Sequence, residues 1–201
     1  LSKATKLAFS ELRQGIYEIN ALQSKDVSMI TIGSMPLARM TILPKSILQF
    51  NERHPDVNIN VTEGPYADLL HHLRQGDIDI ILGALRHPTP ADDVVQEELW
   101  APPLSVVARK GHPLTNKRHI SAEELAQFAW VVPAKGTPTR QAFEDIFHDA
   151  KVALPTRLVE SSSQILIREL LIESDRLTLI SAHQVEREIN IELLNVLNFP
   201  L

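Results

Sequence analysis

Residues 30 to 82 read ITIGSMPLARMTILPKSILQFNERHPDVNINVTEGPYADLLHHLRQGDIDIIL, and the spacing of apolar residues in this stretch alternates between strand and helix periods. Met29, Ile30 and Ile32 run into Gly33 with the alternation that a half-buried strand requires. The period then lengthens, and Leu43, Ile47, Leu48 and Phe50 fall on one face of a helix over residues 41 to 53. Leu43-Pro44 puts proline early in that helix, where its missing N–H costs little. His54-Pro55 ends it, because the residue before a proline is pushed out of the α region. VNINV (57–61) is a strand, Gly64-Pro65 a turn, and Leu69, Leu70 and Leu73 mark another helix. Gly76 supplies its left-handed C-cap, and IDIILGAL (78–85) is a strand apolar on both faces, as inside a parallel sheet. This alternation of strand and helix is the βαβ rhythm of a doubly wound α/β lobe.

Moving outward toward the C-terminus, the character changes at residues 86 to 103, where RHPTPADD forms a polar turn and Pro102-Pro103 leads into the strand LSVVAR (104–109). Ser121, followed by Glu123 and Glu124, caps a helix bearing Leu125 and Phe128. Strand AWVV (129–132), a helix from Pro138 to Ala150, strand RLVE (157–160), a helix to Glu173 and strand LTLIS (177–181) complete a second α/β set. Residues 183 to 188 predict a further helical turn. Toward the N-terminus, residues 1 to 25 predict an amphipathic helix. Leu1, Ala8 and Leu22 share one heptad position, Thr5, Leu12 and Ile19 another, and Phe9 and Ile16 widen the stripe, with Gly15 interrupting it.

The composition fits such a domain. Of 201 residues, 44% are hydrophobic and 22% charged, enough apolar material for one large core or two modest ones. The net charge of -5 makes these residues a poor partner for a phosphate backbone, which needs clustered Lys and Arg. The chain has no cysteine, so disulfides, thiolate metal sites and thiol nucleophiles are excluded, consistent with a reducing cytoplasm. No run approaches the roughly 18 apolar residues of a membrane span, and the charged N-terminal pattern is not a secretory signal.

The run from Ile30 to Leu82 is very similar to the effector domains of LysR-type transcriptional regulators. The resemblance is carried by the strand ending in Gly33, Leu43-Pro44, Phe50, His54-Pro55-Asp56-Val57, Glu63-Gly64 and Gly76-Asp77-Ile78-Asp79. EELWAPPLSVVARKGHPL (97–114) resembles the family's strand, hinge and strand. SDRLTLIS (174–181), where many members carry Gly-x-Gly, is closer to the subgroup of galactose-binding-protein and aromatic-acid regulators. The resemblance implies two Rossmann-like lobes joined by a two-strand hinge, like a type II periplasmic binding protein. Lobe I would comprise residues 27–100 and 182–201, and lobe II residues 101–181. It further implies a small-molecule effector in the interlobe cleft, a homodimer or tetramer, and DNA contact only through a helix-turn-helix segment ahead of a linker helix at residues 1–25. A further strand and helix of the first lobe would follow residue 201. The helix of residues 41 to 53 is an interface element by the same resemblance, or ordinary core by its apolar face alone.

Ligands of open α/β lobes bind beyond the carboxyl ends of strands, where helix N-termini present free N–H groups. Three junctions qualify: Gly33-Ser34-Met35-Pro36, then Gly136-Thr137-Pro138-Thr139-Arg140 with Thr137 as N-cap and Pro138 at N1, and Ser161-Ser162-Ser163 before the helix of Ile165 and Leu166. Hydroxyls, backbone donors and the Arg140 guanidinium suit a small anion such as a carboxylate. Each Ser or Thr could equally be only a helix cap, and Arg86 is either a rim contact or a solvated hinge charge. No cofactor and no metal is implied. Asp77 and Asp79 read as turn and strand-edge residues, and the adjacent His71 and His72 diverge on a helix, which is wrong for one ion. No Gly-x-Ser-x-Gly elbow, His-Glu-x-x-His or P-loop occurs. Ser34 has no base partner in the sequence pattern, so an enzyme is the weakest reading, behind a solute-binding protein of a transporter on the same fold.

Overall fold

In a computed structural model, the residues described are 28–86 and 93–201, together with Leu12 and Gly15, both helical. The rest of the helix expected over residues 1–25, and most of the polar turn, lie outside the described residues. The chain forms two compact units, Leu1–Ala84 and Leu85–Leu201.

The first unit is built on a parallel three-stranded sheet in the order β2-β1-β3. Its strands are β1 (Met29–Ser34), β2 (Asn58–Glu63) and β3 (Ile80–Leu82). The helix expected over residues 41 to 53 is α2 (Ile42–Arg53), and a short helix α1 (Pro36–Met40) precedes it after β1. The break falls at Thr41, whose Oγ1 donates to the Leu37 carbonyl at 2.7 Å and whose φ of -122° and ψ of -83° leave the helical region. A β-branched hydroxyl that bonds back into its own helix competes with the backbone ladder there. Leu43 is buried, whereas Leu48, on the same predicted face, is 67% exposed.

Helix α3 (Tyr66–Gln75) ends as expected at Gly76, with φ +73°. Gly33 lets α3 approach the sheet, since a Cβ there would stand 3.2 Å from Ile78 Cδ1 and 3.3 Å from Leu69 Cδ2. Side chains alternate along a strand, so Ser34 stands on the opposite face from this α3 contact. β3 is shorter than predicted because Asp79 takes over the pairing at its start: its N–H donates to the Thr31 carbonyl and its carboxylate accepts the Thr31 N–H at 2.8 Å.

The second unit carries a five-stranded sheet in the order β6-β5-β7-β4-β8. These are β4 (Leu104–Arg109), β5 (Trp130–Val132), β6 (Leu158–Glu160), β7 (Leu177–Ser181) and β8 (Leu194–Val196). β5, β6 and β7 run parallel, while β4 is antiparallel to β7 and to β8. Helices α4 (Ala122–Ala126), α5 (Pro138–Asp149), α6 (Gln164–Ile172) and α7 (Glu186–Asn190) complete it, with a 3-10 turn at Ala182–Val185. Strand alternation builds two cores. Val106, Ala108, Trp130, Val132, Leu177 and Leu179 pack on one face with Leu125, Phe143 and Phe147. Val107, Val131 and Ile180 pack on the other with Ile167, Leu171 and Val185. Trp130, Phe143 and Phe147 meet edge to face with centroids 5.0 to 5.9 Å apart, a geometry worth about 0.5–1.5 kcal/mol per pair beyond burial.

One expectation is corrected. Residues 182–201 do not return to the first sheet: β8 pairs with β4, Val107 opposite Val196 and Arg109 opposite Leu194. Leu197 then donates to the Val106 carbonyl, and the Asn198 amide donates to the Arg118 carbonyl. Residues 85–86 and 93–100, expected in the first lobe, likewise group with the second unit.

Candidate functional site

In the first unit, Ser34 ends β1 fully buried, and its hydroxyl has no hydrogen-bond partner among the described residues. The Met35 N–H donates to the Leu82 carbonyl at 2.9 Å, extending the β1–β3 pairing to the foot of α1. Pro36 opens α1, as its fixed φ favours. The Met35 side chain lies against Gly83: a Cβ on Gly83 would stand 2.7 Å from Met35 Cγ and 2.8 Å from its Cβ. Arg39, in the last turn of α1, reaches Glu63 at the end of β2, and Glu63 is the register partner of Ser34. Sequence reasoning passed over Arg39, because no local pattern ties it to Glu63, which the β1–β2 pairing brings beside it.

In the second unit, β5 and β6 are parallel neighbours with Val132 opposite Glu160, so both run into helix N-termini at one end of the sheet. Thr137 caps α5, accepting from the Arg140 N–H at 3.2 Å and donating to the Ala134 carbonyl at 2.9 Å. Pro138 stands at the start of α5, exposed, and Thr139 is half-buried behind it. Ser163 caps α6 through the Leu166 N–H, and Ser161 Oγ accepts the Ser163 N–H at 3.1 Å. Ser162, between them, is exposed, and its hydroxyl bonds to none of the described residues. Two of the three serines are therefore spent on local geometry, and the middle one is available.

Arg140 is not the available cation that its position suggested. It is 6% exposed, its Nε donates to Glu144 Oε1 at 2.7 Å, and its Nη1 reaches the Pro133 carbonyl and Glu160 Oε2 at 3.3 Å. The guanidinium also stands 5.8 Å over the Phe143 ring. Two carboxylates, a carbonyl and an aromatic face hold this charge within the fold. Arg86 is half-buried, and its main chain is clamped by Gln96, which accepts from the Arg86 N–H at 3.0 Å and donates to the Arg86 carbonyl at 3.1 Å.

A buried histidine that sequence reasoning did not single out supports the second unit. His112 is 2% exposed, accepts the Leu114 N–H on Nδ1 at 3.1 Å, and approaches the Asp175 carbonyl through Nε2 at 3.3 Å. Those partners require the neutral ring protonated on Nε2, and burial holds its pKa below the ordinary value of 6.5. Asp77 and Asp79 diverge, one to His72 and one to Thr31. Among the described residues no group of three His, Asp or Glu side chains gathers as a metal site, and no helix is long and apolar enough to cross a membrane.

Residues 24–201 match the family model of the LysR substrate binding domain. The chain is 40% identical over 182 residues to the HTH-type transcriptional regulator GalR of Pseudomonas putida, covering 90% of this chain and 46% of that protein. It is 29% identical to the regulator CbbR of Rhizobium meliloti, over 97% of this chain and 65% of that one. The chain thus spans about half to two thirds of the length of these curated relatives. Among solved structures, the CcmR regulatory domain of Synechocystis in complex with 2-PG superposes with a TM-score of 0.67 at 21% identity, over 86% of this chain and 81% of that one. A full-length OxyR variant from Pseudomonas aeruginosa gives a TM-score of 0.71 at 23% identity, over 98% and 67%. These likenesses show the fold.

Proposed function

Because the chain belongs to the LysR substrate-binding domain family, we propose that it senses a small anionic effector for a bacterial transcriptional regulator acting in the cytoplasm. The whole protein would work as a homodimer or tetramer and would reach DNA through a helix-turn-helix segment distinct from these residues. A transporter's solute-binding protein has the same fold, but the family model and the curated relatives are regulators and lend that reading no support.

The observation that carries the proposal is the pairing of β5 with β6, which sets the N-termini of α5 and α6 at one end of one sheet, with the exposed Ser162 directly before the Ser163 cap of α6. Helix N-termini present unpaired N–H groups and positive potential, and an added hydroxyl gives such a site direction. Binding would regulate only to the extent that one conformational state holds the effector more tightly than another.

The experiment is a thermal-shift screen of the chain against small carboxylates, aromatic acids, sulfonates, sugars and 2-PG, the ligand of the CcmR domain. Saturation at a hundred times the dissociation constant stabilises the native state by about 2.7 kcal/mol. An effector whose shift shrinks in Ser162→Ala or Ser34→Ala supports the reading. An empty screen, or hits indifferent to both substitutions, would overturn it.

A further inference from the structure

We infer that Arg39 is the cation that selects anionic effectors, and that Glu63 is a built-in carboxylate occupying its guanidinium until an effector replaces it. The inference rests on the effector-sensing reading above and assigns that function a charged residue. Arg140, the cation suggested by sequence, is committed to Glu144, Glu160 and the Pro133 carbonyl with 7% of its side chain exposed. Arg39 is held differently. Its side chain is 22% exposed and meets Glu63, whose own side chain is 64% exposed.

An ion pair with one partner largely in water is weak, so a soluble carboxylate can exchange for Glu63 at small cost. The place is also right. Glu63 stands in register with Ser34 at the carboxyl ends of two adjacent parallel strands, the end at which open α/β sheets take their ligands. Arg39 sits one turn beyond Met35, to whose carbonyl its N–H donates. Met35 is the N-cap of α1 and directly follows Ser34, whose fully buried hydroxyl has no partner among the described residues. A planar guanidinium accepts a carboxylate or phosphate in the bidentate fashion that a lysine cannot.

The test titrates the 201-residue chain with benzoate and with inorganic phosphate, following the arginine Nε–H signals by NMR, with Arg39→Gln identifying that of Arg39. In wild type the Arg39 signal should move saturably with at least one probe. Glu63→Gln, which removes the competitor, should tighten that probe by about three- to fivefold, the range an exposed pair allows. Arg39→Gln should weaken it about tenfold or more. Asp68→Asn, which removes a carboxylate from the first turn of α3 in the same unit, controls for net charge and should leave affinity within about twofold. Affinity unchanged in Glu63→Gln, tightening matched by Asp68→Asn, retention of binding in Arg39→Gln, or no saturable binding even in Glu63→Gln would each overturn the inference. If probes stabilise the chain through Ser162 yet ignore Arg39 and Glu63, the effector-sensing reading stands and this assignment falls.

Discussion

Arg140 Nε donates to Glu144 Oε1 at 2.7 Å, one turn further along α5. The pair turns a residue placed for ligand binding into a strut that joins α5 to the Pro133 carbonyl and to Glu160 at the end of β6. Arg140→Ala should therefore cost stability whether or not an effector is present. The loss should be about 1–3 kcal/mol in urea unfolding of the second unit, discounted because Glu160 is half in water. Arg140→Lys should recover only part of it, since the compact ammonium cannot serve three acceptors in one plane. A fully stable Arg140→Ala that had lost its effector would reverse the assignment.

His112 makes the second unit acid-sensitive. The folded ring is neutral, accepting on Nδ1 and held below its ordinary pKa by burial. The unfolded chain therefore binds the proton more readily, and stability falls as pH drops through 6.5 toward the depressed folded value. Urea midpoints measured at pH 7.5, 6.5 and 5.5 should decline, and the decline should be shallower in His112→Gln, which does not titrate. An equal slope in both proteins would place the acid sensitivity elsewhere.

Local period was enough to find most of the fold. LSVVAR and LTLIS are strands over the residues expected of them, and Thr137-Pro138 opens α5 because cap and N1 proline are local features. What was missed depends on distant partners. LNV becomes β8 only because the outer edge of β4 is open to it, and three residues carry no period that names a partner. The site divides the same way. The strand-to-helix junctions were legible as chemistry at chain positions, but the capture of Arg140 by Glu160, twenty residues on, was not. Arg39 depended likewise on a pairing with Glu63 that only the β1–β2 register makes local.

Gly83 is kept bare by Met35. A methyl group on Gly83 would stand 2.7 Å from Met35 Cγ and 2.8 Å from Met35 Cβ, closer than packed carbon atoms tolerate. The long methionine end can swing away, but its Cβ moves only with α1. Gly83→Ala should destabilise the first unit by about 1–3 kcal/mol, as overpacking does. Combining it with Met35→Ala should cost less than the sum of the two single changes. A double-mutant cycle in urea checks this, and strict additivity would show that the contact is not felt.

The serines at 161 to 163 should separate stability from binding. Ser163 caps α6 through the Leu166 N–H, so Ser163→Ala should lose about 1 kcal/mol, as a missing N-cap does. Ser161→Ala removes the acceptor of the Ser163 N–H and should lose less, because water can replace an exposed partner. Ser162→Ala touches no hydrogen bond among the described residues and should leave the urea midpoint unchanged while weakening any effector that shifts it. Thr137→Ala and Thr137→Ser provide the parallel on α5, where the hydroxyl both accepts from Arg140 and donates to Ala134. Serine should restore the cap and alanine should not. If Ser162→Ala lowers stability as much as Ser163→Ala, its hydroxyl is part of the turn, and the hydroxyl assigned to the effector must be sought elsewhere.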